Sequence, residues 1–515
     1  MIMKKLLILF PNAVNWAAVS TAVPILGGIA RDKNWEIDYF DTYIYQSEEF
    51  TAGEKEREKL GGFKTGVSNI LEGNVTKYFN DIVPDLQNRI NKFQPDLIAV
   101  TALSTEYDFL LKFFDKIKYP KNTKVIIGGI HCTFKPNEVI ESKLFDLVTI
   151  GEGEEIFAEL LDKLENNEKI DNLLGTYYYN KKTGEIKKNR MRMLLPADKL
   201  WETERDNSLF DGDAYFLRPF DGKQYYRYEM EISRGCPFNC TYCGNSTLKI
   251  LNKGLGKYVK VRPIESSMNQ MKELVKMFNI EIFSFQDECF LSHPIAWLKE
   301  YMDQYKALIN KPYLFMTRAE TITEEKIQLL LSYTLSFQAS IGVESGSEDI
   351  LKILNRKCTP DKVIRAFKIL NKYRIRTSTF FMIGLPFEKR EDAFKSIELC
   401  KKLKPSVVSI AIFQPYPGQA ITQTCIDNKF ILKEIIPGTF NSDSILNMPV
   451  PYMSSKEIKK LWKVFILYAM LPKKYWKDIK KCEKDLLNNE ELFDKLSKLR
   501  WKKYNYAEKD IKFFK

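Results

Sequence analysis

The segment Glu231 to Leu248, EISRGCPFNCTYCGNSTL, sets Cys236, Cys240 and Cys243 at a C-x3-C-x2-C spacing. Structural zinc almost always takes four protein ligands, yet no fourth thiol lies near these three. Three thiolates can instead hold three irons of a four-iron, four-sulfur cluster, leaving the last iron open to a substrate or cofactor. The other cysteines, Cys132, Cys289, Cys358, Cys400, Cys425 and Cys482, fall singly in unrelated elements. They read as small buried apolar residues or incidental surface thiols. Nine cysteines in 515 residues make no disulfide scaffold, and a reducing cytoplasm fits them best.

The elements that must position this loop follow from periodicity. KKLLILF, WEIDYFD, DLIAVTAL, KVIIGG and LFDLVTIGEG read as buried strands separated by amphipathic helices, with a charged, less regular insertion at about 45–75. Continuous apolar strands alternating with helices imply a parallel sheet covered on both faces. Ligands of such sheets bind outside the carboxyl ends of the strands. Those ends carry Asn12, then Thr101, Ser104 and Thr105, then Gly128, Gly129 and His131, then Gly151 and Gly153. Small polar residues there suit backbone approach to a large polar ligand. No G-x-G-x-x-G follows the first strand, so a dinucleotide is disfavoured. After a connecting hairpin (YYYNKKTGEIKKNR), a second series of about six strand–helix units runs from YRYEMEIS to SVVSIAIFQPYPG. That is enough for a partial barrel with reactive groups at its strand ends. The cysteines follow the first strand of this series. Lysine- and aromatic-rich helices run from about Ile431 to Lys515 and read as core and lid.

Composition narrows the class. Hydrophobic residues make up 44% and charged residues 28%, which allows large packed cores. The net charge of +12 is spread along helical faces and reads as a solvated surface, not a nucleic-acid or membrane footprint. The opening MIMKKLLILFPN imitates a signal peptide, but its apolar run stops at Pro11 and reads as a buried strand. No run approaches the ~20 apolar residues of a membrane span.

The loop CPFNCTYC resembles the C-x3-C-x-aromatic-C loop of radical S-adenosylmethionine (SAM) enzymes. IGVESGSEDILKILNRK, FFMIGLP and FQPYPG are similar to that family's fourth, fifth and sixth strands, and GGIHCTFKP with FDLVTIGEGEEIFAELL to the cobalamin-binding domain preceding many such barrels. The resemblance covers about residues 1 to 435 and implies a cluster on the three cysteines, whose open iron chelates SAM. It sets Tyr242 beside the adenine and Glu344 on the ribose hydroxyls, with Ser345 read alongside as a SAM contact. FSFQDECF replaces the family's Gly-Gly-Glu, making Asp287 the first candidate for the SAM amino group; the alternative for Asp287 and Glu288 is a salt bridge at the strand end. Arg318 either holds the SAM carboxylate or pairs with one of these acids. The D-x-H-x-x-G motif of classical mutases is absent, so His131 is expected to cap its loop or touch the nucleotide tail of cobalamin without ligating cobalt. His293 reads as a turn or surface residue. GEGEE is either a plain helix start or part of the cobalamin site.

The fold expected is therefore α/β. Residues 1–195 form a doubly wound, Rossmann-like cobalamin-binding domain with a connecting region, 196–435 a partial (β/α)6 radical SAM barrel, and 436–515 a helical region. The resemblance implies a cytoplasmic methyltransferase using a 4Fe-4S cluster, SAM and cobalamin. It would methylate an unactivated carbon, or phosphorus, of a small-molecule or peptide substrate by hydrogen abstraction and methyl transfer from methylcobalamin. A low-potential ferredoxin or flavodoxin would supply electrons. Relatives with the same cofactors that form or contract rings, or hydrate, are the first alternative. A zinc-containing nucleic-acid-binding protein is the alternative of another class.

Overall fold

The computed structural model describes residues 3–12, 19–46, 77–220, 223–431 and 442–503. The insertion expected at about 45–75 lies outside these residues from position 47 on, and so does the tail beyond 503.

Strands β1 (Lys5–Phe10), β2 (Glu36–Asp41), β3 (Leu97–Thr101), β4 (Lys124–Gly128) and β5 (Leu147–Thr149) form a parallel sheet in the order β2-β1-β3-β4-β5. All five residues of β3 are buried, because both faces are covered. Leu6, Ile8, Leu97 and Ala99 pack with Val23 and Ile29 of helix α1 (Ala22–Asp32) and with Ile156, Phe157 and Leu160 of α2 (Glu154–Glu165). Leu7, Leu9, Ile98 and Val100 pack on the opposite layer, with Ile82, Leu86 and Ile90. The chain reverses its direction of growth between β1 and β3, so the crevice at their carboxyl ends is the ligand-binding switch point. The connecting hairpin proves to be part of this sheet. Its strands β6 (Thr176–Tyr179) and β7 (Ile186–Lys188) extend the edge in antiparallel fashion beyond β5.

The second sheet is an open, curled half-barrel. Its strands are β8 (Leu217–Phe220), β9 (Lys223–Met230), β10 (Ile282–Phe285), β11 (Tyr313–Thr317), β12 (Phe337–Glu344), β13 (Arg376–Ile383) and β14 (Val407–Ile412), hydrogen-bonded in chain order. From β9 onward the pairing is parallel. The antiparallel edge strand β8 was not expected, since LRPF contains a proline; an edge is where a sheet tolerates one. Alternation sends Arg227, Glu229, Ser284, Gln286, Gln338, Ser340 and Ser378 into the lumen, while Tyr228, Phe283, Phe285, Phe337 and Phe381 join the core.

Helix α3 (Gly244–Leu251) starts immediately after Cys243. In the tail, α4 (Ser455–Met470) opens with a capping box between Ser454 and Glu457 and buries an apolar face that includes Leu461, Trp462 and Phe465. Trp462 Nε1 donates to the Ile410 carbonyl of the last strand at 3.0 Å. Among the described residues, no helix is long and apolar enough to cross a membrane.

Candidate active site

The cysteine loop is pinned from three directions. Thr241 donates through its N–H to Leu354 O (3.0 Å) and through its hydroxyl to Ile353 O (2.9 Å), and Asn355 Nδ2 reaches Asn239 O at 2.7 Å. From α3, Lys249 Nζ donates to the carbonyls of Pro237 (3.0 Å) and Phe238 (3.1 Å). Loop carbonyls that would otherwise face solvent are thus held, and the loop keeps one shape over the barrel mouth. Cys240 is buried and Cys236 and Cys243 are half-buried; none of the three is bonded to another cysteine. Burial pushes the Cys236 thiol up to about 12 and raises Cys243 as well, so bound iron would have to supply the positive charge that keeps both as thiolates. Among the described residues, no three His, Cys, Asp or Glu side chains close around one point as ligands of a single ion would. The other six cysteines are all buried and unbridged, and Cys289 meets the hydroxyls of Thr317 and Thr321.

Beside the loop, Tyr242 OH donates to Glu344 Oε1 at 2.9 Å. Arg356 completes a triangle, with Nη1 3.2 Å from the Tyr242 hydroxyl and Nη2 3.9 Å from Glu344 Oε1. The same guanidinium donates to Gly342 O, and its Nη1 lies 4.0 Å from Cys240 Sγ. Glu344 closes β12 with φ +67°, where the register against β13 shifts between Gly342 and Glu344. A non-glycine residue in this conformation is held there by its surroundings. A Cβ at position 342 would collide with Glu344 Oε1, which explains the glycine in IGVESG: it makes room for the carboxylate. Arg356 escaped sequence reading.

Arg318 is buried and fully engaged. It pairs with Glu320 (Nε–Oε1 2.6 Å), donates from Nη1 to Cys240 Sγ at 3.1 Å, and stacks 3.8 Å over the Phe238 ring. Its acid is therefore Glu320, and neither Asp287 nor Glu288. Burial opposes ionisation of Glu320, but Arg318 outweighs it and holds the carboxyl below its usual range. Asp287 is not aimed at the loop. Its Oδ2 lies 2.6 Å from Nε2 of His293, its Oδ1 accepts from the Cys289 N–H at 3.2 Å, and His293 stacks on Trp297 at 4.0 Å. His293 is thus a buried partner and no surface residue. The acid that faces the cysteine loop from this turn is Glu288, which remains exposed and whose carboxyl is raised by partial desolvation against the cavity wall. Ser345 also turns away: its hydroxyl meets Ser396 Oγ at 3.3 Å and accepts from Ser347 N–H at 3.1 Å.

Between the two sheets lies a cavity of about 540 Å³, walled by Thr101, Gly128, Gly129, Gly151 and Gly153 on one side and by Gly235, Gly244, Asn245 and Tyr258 of the cysteine-loop region on the other. A Cβ on Gly153 would meet nothing within 4 Å and would project into open space, so the glycine preserves room for a ligand. The remaining expected contacts are used elsewhere. Asn12 O accepts from Thr42 Oγ1 at 2.9 Å, Ser104 Oγ lies 3.0 Å from His131 Nδ1, and His131 stacks on Tyr107 at 4.4 Å. These residues and Thr105 are not on the cavity wall, whereas Thr133, Thr149 and Leu103 are.

The GEGEE segment does more than start a helix. Glu154 and Glu152 pair with Arg234, two residues before Cys236, at 2.9 and 3.5 Å, and Glu152 also accepts from Lys260. Arg234 Nε holds Glu231 at 3.0 Å. This charge cluster joins the first sheet to the cysteine loop along one rim of the cavity. Glu155 points outward and pairs with Arg192 at 2.7 Å.

Two sheets thus present their strand ends to one cavity. The model of the B12 binding domain matches residues 63–161 and that of the Radical SAM superfamily matches residues 230–400. The chain thus combines a B12 binding domain with a Radical SAM domain, the pairing found in cobalamin-binding radical SAM enzymes, and these domains imply a 4Fe-4S cluster, SAM and cobalamin as cofactors. An uncharacterized methyltransferase of Pyrococcus horikoshii is 28% identical over 402 residues, which cover 77% of this chain and 83% of that protein. The anaerobic magnesium-protoporphyrin IX monomethyl ester cyclase of Rubrivivax gelatinosus is 21% identical over 67% of this chain and 61% of that protein. Among solved structures, the radical SAM methyltransferase TsrM of Kitasatospora setae, with cobalamin and a 4Fe-4S cluster bound, shares the fold: TM-score 0.59 at 15% identity, over 82% of this chain and 75% of that one.

Proposed function

We propose that the protein is a cobalamin-dependent radical SAM methyltransferase, acting on an unactivated carbon, or on phosphorus, of a small-molecule or peptide substrate. The observation that carries this reading is the shared wall of two cavities. Thr21, Thr101 and Leu103 line both the glycine-walled cavity beside the cysteine loop and a second one in the barrel lumen. A group seated at the switch point would therefore face the lumen.

Cys236, Cys240 and Cys243 would hold the cluster. Arg318 and Arg356 set positive charge against Cys240 and would stabilise an electron-rich cluster at that corner. Tyr242 and Glu344 would position the adenosyl portion of SAM, Glu344 by accepting hydroxyl hydrogen bonds. Thr101, Gly128, Gly129, Gly151 and Gly153 would let backbone approach cobalamin. Arg234, Glu152 and Glu154 would close the rim against water. When bound, the cluster and SAM supply a carbon-centred radical able to remove hydrogen, and cobalamin supplies the methyl group. A low-potential ferredoxin or flavodoxin suits the electron demand.

The test is product analysis of the reconstituted protein with SAM, reductant and cell extract. Methyl transfer accumulates S-adenosylhomocysteine together with a methylated metabolite. The similarity to a cyclase supports a second reading, ring formation without methyl transfer. That reading yields 5′-deoxyadenosine with no S-adenosylhomocysteine.

A further inference from the structure

The lumen cavity, about 630 Å³, lies between the inner face of the barrel and the carboxyl ends of β1 and β3. Its charged groups are Arg218, Arg227, Glu229 and Glu106. Arg227 and Glu229 satisfy each other, with Nε and Nη2 at 3.0 and 2.8 Å from Oε1, and Glu229 Oε2 accepts from Gln286. Glu106 Oε2 accepts from the Leu103 N–H at 2.6 Å, and burial pushes this carboxyl up to about 7.

Arg218 is different. It sits on the edge strand β8 and is only 3% exposed. Its Nη1 donates to two neutral acceptors, the carbonyls of Tyr215 and Leu217, both at 2.9 Å. Its Nη2 is buried and has no hydrogen-bond partner among the described residues. Glu229 and Asp41 act on it only as longer-range charges. A buried guanidinium without a bonded counter-ion is costly, and a planar oxyanion is the group its fork geometry fits. Elsewhere on its wall the lumen offers neutral polar groups, Ser284, Ser340 and Ser378, and apolar surface from Met316 and Phe380.

We propose that Arg218 receives a carboxylate or phosphoryl oxyanion of the substrate, so that the substrates are small acids seated in the lumen. This rests on the lumen being the substrate cavity of the reaction proposed above. The Arg227–Glu229 pair, already neutral, would flank the acid without competing for it. Because β8 precedes the cysteine loop in the chain, the acid-binding group and the cluster would stand on one continuous segment.

Calorimetric titration of the cobalamin-loaded protein without SAM tests this, using benzoate, phenylphosphonate and the neutral benzamide as probes. Benzoate or phenylphosphonate should bind at least about tenfold more tightly than benzamide, as expected for a charge-assisted bond. Whichever anion prevails names the acid class. Arg218→Gln should erase the difference and Arg218→Lys should restore part of it. Equal binding of all three probes to the unaltered protein would overturn the proposal, and this comparison needs no variant to fold. Displacement of the anion by SAM would also overturn it, because Arg218 would then serve the SAM carboxylate. The titration involves no turnover, so its failure is distinguishable from a failure to form S-adenosylhomocysteine.

Discussion

The Tyr242 hydroxyl and Glu344 Oε1 stand 2.9 Å apart, joining the cysteine loop to the end of β12. A carboxylate so placed, with one oxygen engaged by Tyr242, keeps acceptor capacity for a ribose. Glu344→Gln preserves shape and removes charge, so SAM binding should weaken by ~1–3 kcal/mol while cluster and cobalamin stay bound. SAM titration followed through the cluster's paramagnetic spectrum measures this. An unchanged affinity would make the Tyr242–Glu344–Arg356 triangle architectural only.

Iron should follow the cysteines. Replacing Cys236, Cys240 and Cys243 together with alanine should abolish both iron binding and SAM cleavage, since three irons lose their ligands at once. Iron analysis and 5′-deoxyadenosine quantification under strong reductant give the answer. Production of 5′-deoxyadenosine by the triple variant would exclude the assignment.

Cobalt should carry no protein histidine. His131 is buried, stacked on Tyr107 and engaged by Ser104, and burial pushes its pKa down to about 4. His131→Ala should therefore leave the cob(II)alamin paramagnetic spectrum as it is. Nitrogen hyperfine structure present in the unaltered protein and lost in the variant would refute this.

Stability should fall as pH rises from about 5 to 8. Glu388 is buried and burial pushes its carboxyl up to about 8, against the N–H groups of Gly384 and Leu385 that favour its charge. Between its unfolded value of roughly 4.3 and that folded value, the native state holds the proton more tightly than the unfolded chain. Each such group lowers stability by up to about 1.4 kcal/mol per pH unit across the window. Glu388→Gln keeps an acceptor for both amides and removes the titration, so urea unfolding should show a shallower decline. An identical slope in both proteins would place the proton elsewhere.

What the sequence disclosed and what it hid divide along contact range. Cys236, Cys240, Cys243 and Tyr242 could be named as candidates from the sequence because they lie together on one short loop, where local spacing alone marks them. The strands were legible because burial on both faces leaves long apolar runs, as in KLLILF and LIAVT. Arg356 was not, since it reaches Tyr242 and Cys240 across 114 and 116 residues and no local pattern marks it. Arg234 and Glu154 met the same obstacle, and GEGEE alone looks like any helix start. Asp287 was misdirected for the opposite reason: His293, only six residues away, claims it within one turn. That histidine before a proline was the available signal. His131, Ser104 and Asn12 lie at the right strand ends, but a strand end specifies position and leaves the direction of the side chain open.

The contact between Trp462 and Ile410 also bears on how the chain is made. The first sheet closes from segments that emerge early, whereas β14 keeps an open hydrogen-bonding edge until α4 has left the ribosome. For the last part of synthesis the half-barrel is thus complete in strands yet unsealed, and an exposed edge invites pairing with another nascent chain. A chain truncated before residue 455 would lose the Trp462 contact to this edge and would be expected to aggregate although every candidate site residue named above is present.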